Sequence, residues 1–145
     1  MRLTIEGARV IDPPSQFDQI TDLHIAAGHI VAIGAAPEDF SANQRIDARG
    51  LIASPGLVDL NVSLREPGRT RKGTIDSETR AAAAGGVTSL CSLPDTLPVL
   101  DTPAVAELIL DRCEQAGQVR VFPYGALTRG LGGEHLWPLP RAWRR

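Results

Sequence analysis

At Pro55-Gly56 the rhythm of the chain changes, and the change limits it to few architectures. Residues 57–64 form a nearly continuous apolar strand, and a helical stretch over 74–84 follows, closed by Gly85-Gly86. A second core strand is predicted over 87–93. Thr102 then reads as an N-cap with Pro103 at the first helical position, for a helix running to Ala116 before Gly117. Its apolar stripe is Val105, Leu108, Ile109 and Cys113. A third strand is expected over 119–124. Strand, helix, strand, helix, strand is the opening of a β/α architecture with right-handed crossovers and a parallel sheet. Three such strands cannot close a barrel of eight, so one sheet edge is expected to stay open.

Upstream the pattern is different. Strands are expected over 2–11, 21–26 and 29–33, with Pro13-Pro14 ending the first and Ala27-Gly28 turning between the second and third. A turn over 37–41 leads to a further strand over 44–53, interrupted by Gly50. The short connections predict a small antiparallel unit. The resulting division is 1–54, 55–133 and an atypical, flexible tail over 134–145, whose two tryptophans and closing arginines have no evident core to enter. A frameshift or premature end in place of the natural continuation is the alternative for that tail.

Composition narrows the function classes. With 145 residues and 43% hydrophobic content the chain can bury a core, which excludes global disorder. A formal net charge of -2, with charges of both signs scattered until the last residues, gives no basic stripe for nucleic acid or an anionic membrane. Charged residues at Glu6, Arg9 and Asp12 interrupt any signal-peptide core, and nothing later reaches transmembrane length. Cys91 and Cys113 lack close ligand spacing and read as reduced, buried thiols of a cytoplasmic protein.

Chemistry concentrates at the end of the strand over 57–64. Alternation puts Asp59, Asn61 and Ser63 on one side and Val58, Leu60, Val62 and Leu64 on the other. The C-terminal end of a barrel strand is where active-site groups sit, and hydrolysis of an amide there needs a metal to activate water. Asn61 and Ser63 bring no strong nitrogen donor for zinc, so no metal is expected. His24, His29 and His135 lie elsewhere and read as structural or surface residues. Arg65 could clamp a carboxylate bidentately, or form an ion pair with Glu66 or another nearby acid. Asp95, just past the second core strand, either faces a cleft or caps its loop. Gly85-Gly86 follows a helix and precedes a strand, the reverse of a phosphate cradle.

Several separated motifs now line up with one family. Asp12-Pro13, Ile30-Val31-Ala32-Ile33-Gly34, Asp47-Ala48-Arg49-Gly50 and Pro55-Gly56-Leu57-Val58-Asp59 resemble the opening of cyclic amidohydrolases. Leu64-Arg65-Glu66-Pro67-Gly68, Ala82-Ala83-Ala84-Gly85-Gly86-Val87-Thr88 and Pro94-Asp95-Thr96 narrow the resemblance to dihydroorotases, through about Gly133. The resemblance implies an α/β fold of the amidohydrolase type: part of a small β-sandwich followed by the first strands and helices of a truncated TIM barrel. It also implies zinc in active relatives, held by histidines where this chain has Asn61 and Ser63. Arg65 would match the residue holding the substrate carboxylate, and Asp95 would stand where active relatives carry an asparagine.

These departures resemble the non-catalytic dihydroorotase-like subunits that accompany aspartate transcarbamoylase in pyrimidine biosynthesis. No cofactor and no catalytic residue are then expected, with Arg65 and Asp95 marking a degenerate substrate site. The partner expected is a transcarbamoylase catalytic subunit, and a homo-oligomer stays open. A metal-dependent dihydroorotase, interconverting carbamoyl-aspartate and dihydroorotate, and a non-functional remnant are the alternatives.

Overall fold

The computed structural model describes residues 1–137. Its backbone divides into two compact units, Met1–Pro55 and a second that begins at Gly56. No helix among the described residues is long and apolar enough to cross a membrane.

The first unit is one mixed sheet. Strand β1 (Arg2–Asp12) pairs antiparallel with β2 (Phe17–Ala26), which pairs antiparallel with β3 (His29–Ile33). The second strand starts four residues earlier than its alternation suggests. Pro13-Pro14 opens a hairpin turn, closed by a 3.1 Å bond from Gln16 N to Pro13 O, so pairing resumes at once. The single strand expected over 44–53 is two pieces, β4 (Gln44–Asp47) and β5 (Ile52–Ala53). Both run parallel to β1, which corrects the expectation of a purely antiparallel unit. The reason is the connection over 34–43, which returns the chain to the far side of β1 before β4 begins instead of making a tight hairpin.

A bulge in β1 between Ile5 and Ala8 is built on Gly7, at φ 68°. A Cβ there would lie 2.6 Å from Arg49 Cγ, and the Gly7 amide donates to Asp22 Oδ1 at 2.8 Å. Ala8, Val10, Leu23 and Ala48 form the core of this unit. His24 is buried beside Phe40 in an edge-on ring contact. Its Nε2 lies 2.9 Å from Gly34 O, which can only accept, so Nδ1 accepts from the Thr4 hydroxyl at 3.1 Å. Both ring nitrogens are committed to the fold, as the structural reading of this histidine expects.

The second unit is a parallel sheet in the order β6 (Leu57–Val62), β7 (Val87–Ser92), β8 (Arg120–Pro123), with α1 (Ile75–Ala84) and α2 (Pro103–Ala116) as the crossovers. Each helix begins where capping chemistry places it. Thr74 and Ser77 form a reciprocal capping box on α1, and Thr102 precedes Pro103 on α2. Leu64, Ile75 and Leu90 make one buried cluster and Leu100, Ala106 and Ile109 another. Each fully buried leucine or isoleucine contributes about 2 kcal/mol. Of the expected stripe of α2, Ile109 is buried and Val105 and Cys113 pack against its cluster, which Ala106 joins, while Leu108 is 41% exposed. Thr79 ties α1 to the entry of β8, its hydroxyl donating to Ile75 O at 2.6 Å and accepting from Gln118 N at 3.1 Å.

The segment expected to be a flexible tail departs from that expectation where the structure describes it. Leu136 bridges Thr128, and Trp137 is only 7% exposed, its ring against Gly125, where a Cβ would lie 2.6 Å from the indole. The missing side chain at Gly125 makes the space that the sequence does not advertise. Residues 138–145, with the remainder of that expectation, lie outside the described residues.

Candidate functional site

The polar residues of β6 and the loops after β6 and β7 meet at the C-terminal end of the parallel sheet. Asp59 and Asn61 are exposed, and the Asp59 carboxylate turns back on its own strand, accepting from Asn61 N at 3.0 Å. Ser63 is half-buried. Its hydroxyl donates to Asp95 Oδ2 at 2.7 Å, joining residues 32 apart in sequence. The other oxygen, Asp95 Oδ1, is buried and has no hydrogen-bond partner among the described residues. Asp95 therefore faces Ser63 across the strand ends, and its carboxylate is not spent on capping its own loop.

Arg65 has φ 68° and takes part in no ion pair among the described residues. The pairing with Glu66 weighed from the sequence is not formed, because Glu66 is engaged elsewhere. Glu66 Oε2 accepts from Ile75 N at 2.9 Å, at the first turn of α1, and Oε1 lies 3.8 Å from Arg112 Nη1. The positive end of α1 and a cation on α2 outcompete the adjacent arginine. Sequence reasoning missed this role of Glu66. Its signal was present in the nine-residue reach from Glu66 to an uncapped helix amide, but the path of the intervening loop was needed to see it.

The two loops are locked to each other. Leu97 N donates to Pro67 O at 2.9 Å, and Gly68, at φ 109°, packs so closely that a Cβ would lie 2.4 Å from Leu97 Cβ. Thr96 closes its own loop through a 2.8 Å bond to Pro98 O. Further along, Tyr124 follows β8 and shares a hydrogen bond with the Cys91 thiol on β7, which raises the phenol pKa, with burial as the next cause. Both cysteines are free and partly buried.

As a metal centre the constellation does not fit zinc. It offers a carboxamide, a hydroxyl already donated to a carboxylate, and Asp95, and no group of three or more histidine, cysteine, aspartate or glutamate side chains converges among the described residues. His24 and His29 belong to the first unit, and His135 bonds through its carbonyl to Arg129 N. What the arrangement can do is hold two strand ends together.

Comparison with known proteins places this geometry. A family model described as dihydro-orotase-like matches residues 50–140. A dihydroorotase-like protein of Pseudomonas aeruginosa is 68% identical over 136 residues, covering 94% of this chain and 32% of its own length. A counterpart from Pseudomonas putida is 65% identical over the same span, and a dihydroorotase of Geobacter metallireducens is 44% identical. The chain thus spans about a third of the length of these relatives. Among solved structures, an L-hydantoinase (dihydropyrimidinase) from Arthrobacter aurescens superimposes with a TM-score of 0.78 at 25% identity, over 87% of this chain and 28% of that one. A D-hydantoinase follows with a TM-score of 0.73 at 24% identity. The fold is therefore a partial amidohydrolase fold, a mixed sheet followed by the first β/α units of a barrel.

Proposed function

Because the chain belongs to the dihydroorotase-like family, we propose that it is a non-catalytic member serving pyrimidine biosynthesis as an assembly partner of the aspartate transcarbamoylase catalytic subunit. One observation carries the non-catalytic reading. The strand that would present two zinc-binding histidines presents Asn61 and Ser63, and Ser63 is bonded to Asp95. Without imidazole donors there is no strong Lewis acid to polarise an amide carbonyl or lower the pKa of an attacking water. Asp95 also places negative charge where the substrate carboxylate of active relatives would meet an asparagine, leaving Arg65 as the remaining recognition element. The assembly role is supported by the scaffold itself, since packing and surface shape do not depend on metal ligands.

Two measurements test the two halves. Metal content of the purified chain, with turnover assayed in both directions between carbamoyl-aspartate and dihydroorotate, is expected to show background zinc and no conversion; stoichiometric zinc with turnover would install the enzyme reading. Sedimentation of the chain mixed with a transcarbamoylase catalytic subunit is expected to show a species larger than either. A profile equal to the sum of the separate proteins would remove the assembly role.

A further inference from the structure

We infer that the loop after β6 and the outer face of α2 form a self-complementary surface for a second copy of this chain, each copy's basic loop lying on the other's acidic helix stripe. The loop contributes Arg69, Arg71 and Lys72, all exposed, and none of them takes part in an ion pair among the described residues. The acids that flank them in sequence do not neutralise them. Glu66 is held by the first amide of α1 and by Arg112, and Glu78 packs on Gly73 without reaching a cation. On α2, Glu107, Asp111 and Glu114 are likewise exposed and outside every ion pair among the described residues. Their i, i+4, i+7 spacing stacks them on one face of the helix. Like charges gathered in this way repel one another within each group, and opposite charge set against them relieves the repulsion.

The two groups lie side by side, as a two-fold contact requires. Thr70, between Arg69 and Arg71, lines a hollow of about 160 Å³ together with Leu108 and Arg112 of α2. Leu108 is next to Glu107 in sequence and keeps much of its side chain in solvent, so the surface runs from basic loop through apolar hollow to acidic stripe. A two-fold axis through the hollow sets each loop against the other copy's stripe and brings the two Leu108 side chains to the centre. That is an apolar centre inside a charged rim. The loop is already shaped for it: Arg69 N donates to Arg65 O at 2.7 Å, Lys72 N to Arg69 O at 2.8 Å, and Leu97 N to Pro67 O at 2.9 Å. Docking then orders little beyond side chains. A partner of another kind has to supply an acidic and a basic patch at the matching separation, whereas a second copy carries both. With a net charge of only -2, two copies are not driven apart as whole molecules.

The test is sedimentation velocity of the full chain from about 10 µM to about 0.5 mM, alongside three charge-reversed variants. One carries Arg69→Glu, Arg71→Glu and Lys72→Glu, the second Glu107→Lys, Asp111→Lys and Glu114→Lys, and the third all six. The parent is expected to form a species of two chains, its association weakened roughly tenfold or more between about 0.05 M and about 0.5 M salt. The loop variant and the helix variant are each expected to lose that species, because like charge then meets like charge. Mixed together they are expected to pair with each other, and the six-fold variant is expected to pair with itself. In that last chain the two reversals cancel in net charge, so its pairing reports on the patches and not on overall charge. Urea midpoints near the parent's establish that the variants fold, as expected for exposed positions; if one does not fold, Arg71→Glu and Asp111→Lys alone and mixed make the same comparison. A parent that stays monomeric, a two-chain species indifferent to salt and to the reversals, or loop and helix variants that fail to pair on mixing would overturn the docking surface. Association through the open sheet edges grows beyond two chains and responds to neither reversal, which tells it apart. Loss of a transcarbamoylase complex in the loop variant, with its two-chain species intact, would overturn the surface by assigning the loop to that other partner.

Discussion

Glu66 carries more of the fold than its place beside Arg65 suggests. One carboxylate oxygen meets the first amide of α1 and the other faces Arg112, so replacing it removes a charge-assisted cap that no neighbour supplies. Glu66→Ala is expected to cost about 1 kcal/mol, measurable by urea unfolding. Cys113 reports on the same place. Burial first, then the nearby Glu66 charge, push its thiol up to about 11 from an ordinary value of 9.0. The thiolate is the reactive form, so Cys113 in the folded chain is expected to alkylate more slowly at pH 8 than an unfolded cysteine, with Glu66→Gln speeding it. The sign for stability follows: the folded state keeps this proton longer, so its contribution is complete below pH 9 and is lost as pH rises through about 11. Mass-spectrometric mapping of iodoacetamide labelling across pH 7 to 10 checks both. At this scale the identities of Asn61, Ser63, Arg65 and Asp95 were readable from the sequence, but their partners were not. A bond between residues 32 apart depends on which strand ends become neighbours, and that is a property of the sheet.

Elements follow the sequence wherever local chemistry decides. Thr74 with Ser77, and Thr102 with Pro103, set both helix starts, and Gly85 and Gly117 stand at the two helix ends. The elements that differ are those whose partner is set by a connection: β4 and β5 run parallel to β1 because of the route the chain takes over 34–43, which hydrophobic alternation does not encode. The loops after β6 and β7 are likewise one element in practice. Gly68 holds φ 109° and sits against both the side chain and the carbonyl of Leu97, so a methyl group there meets strain and a clash together. Gly68→Ala is expected to destabilise by about 2 kcal/mol or more. Gly86→Ala, which has a positive φ but open space, is expected to cost less, about 1 kcal/mol. Equal midpoints for the two variants would show that the loop contact contributes nothing beyond backbone conformation.

Taken unit by unit, the molecule covers its apolar surface unevenly. In the parallel sheet the four apolar residues that alternation puts on one face of β6 divide by depth. Leu64 is buried, with Val62 packed against its cluster, while Val58 and Leu60 are 62% and 63% exposed. Among the described residues β6 and β8 are the edges of this sheet, so exposed apolar side chains coincide with unpaired backbone groups. That combination favours edge-to-edge association, and it is what the sequence anticipated from three parallel strands. The chain is expected to show larger species as concentration rises in sedimentation velocity runs. Leu60→Lys should suppress them while leaving the urea midpoint within about 0.5 kcal/mol, because an exposed residue takes no packing with it. Mixing with a transcarbamoylase catalytic subunit separates the two kinds of association. A specific complex that survives Leu60→Lys uses other surfaces of the scaffold, whereas loss of both together would place the partner on the β6 edge.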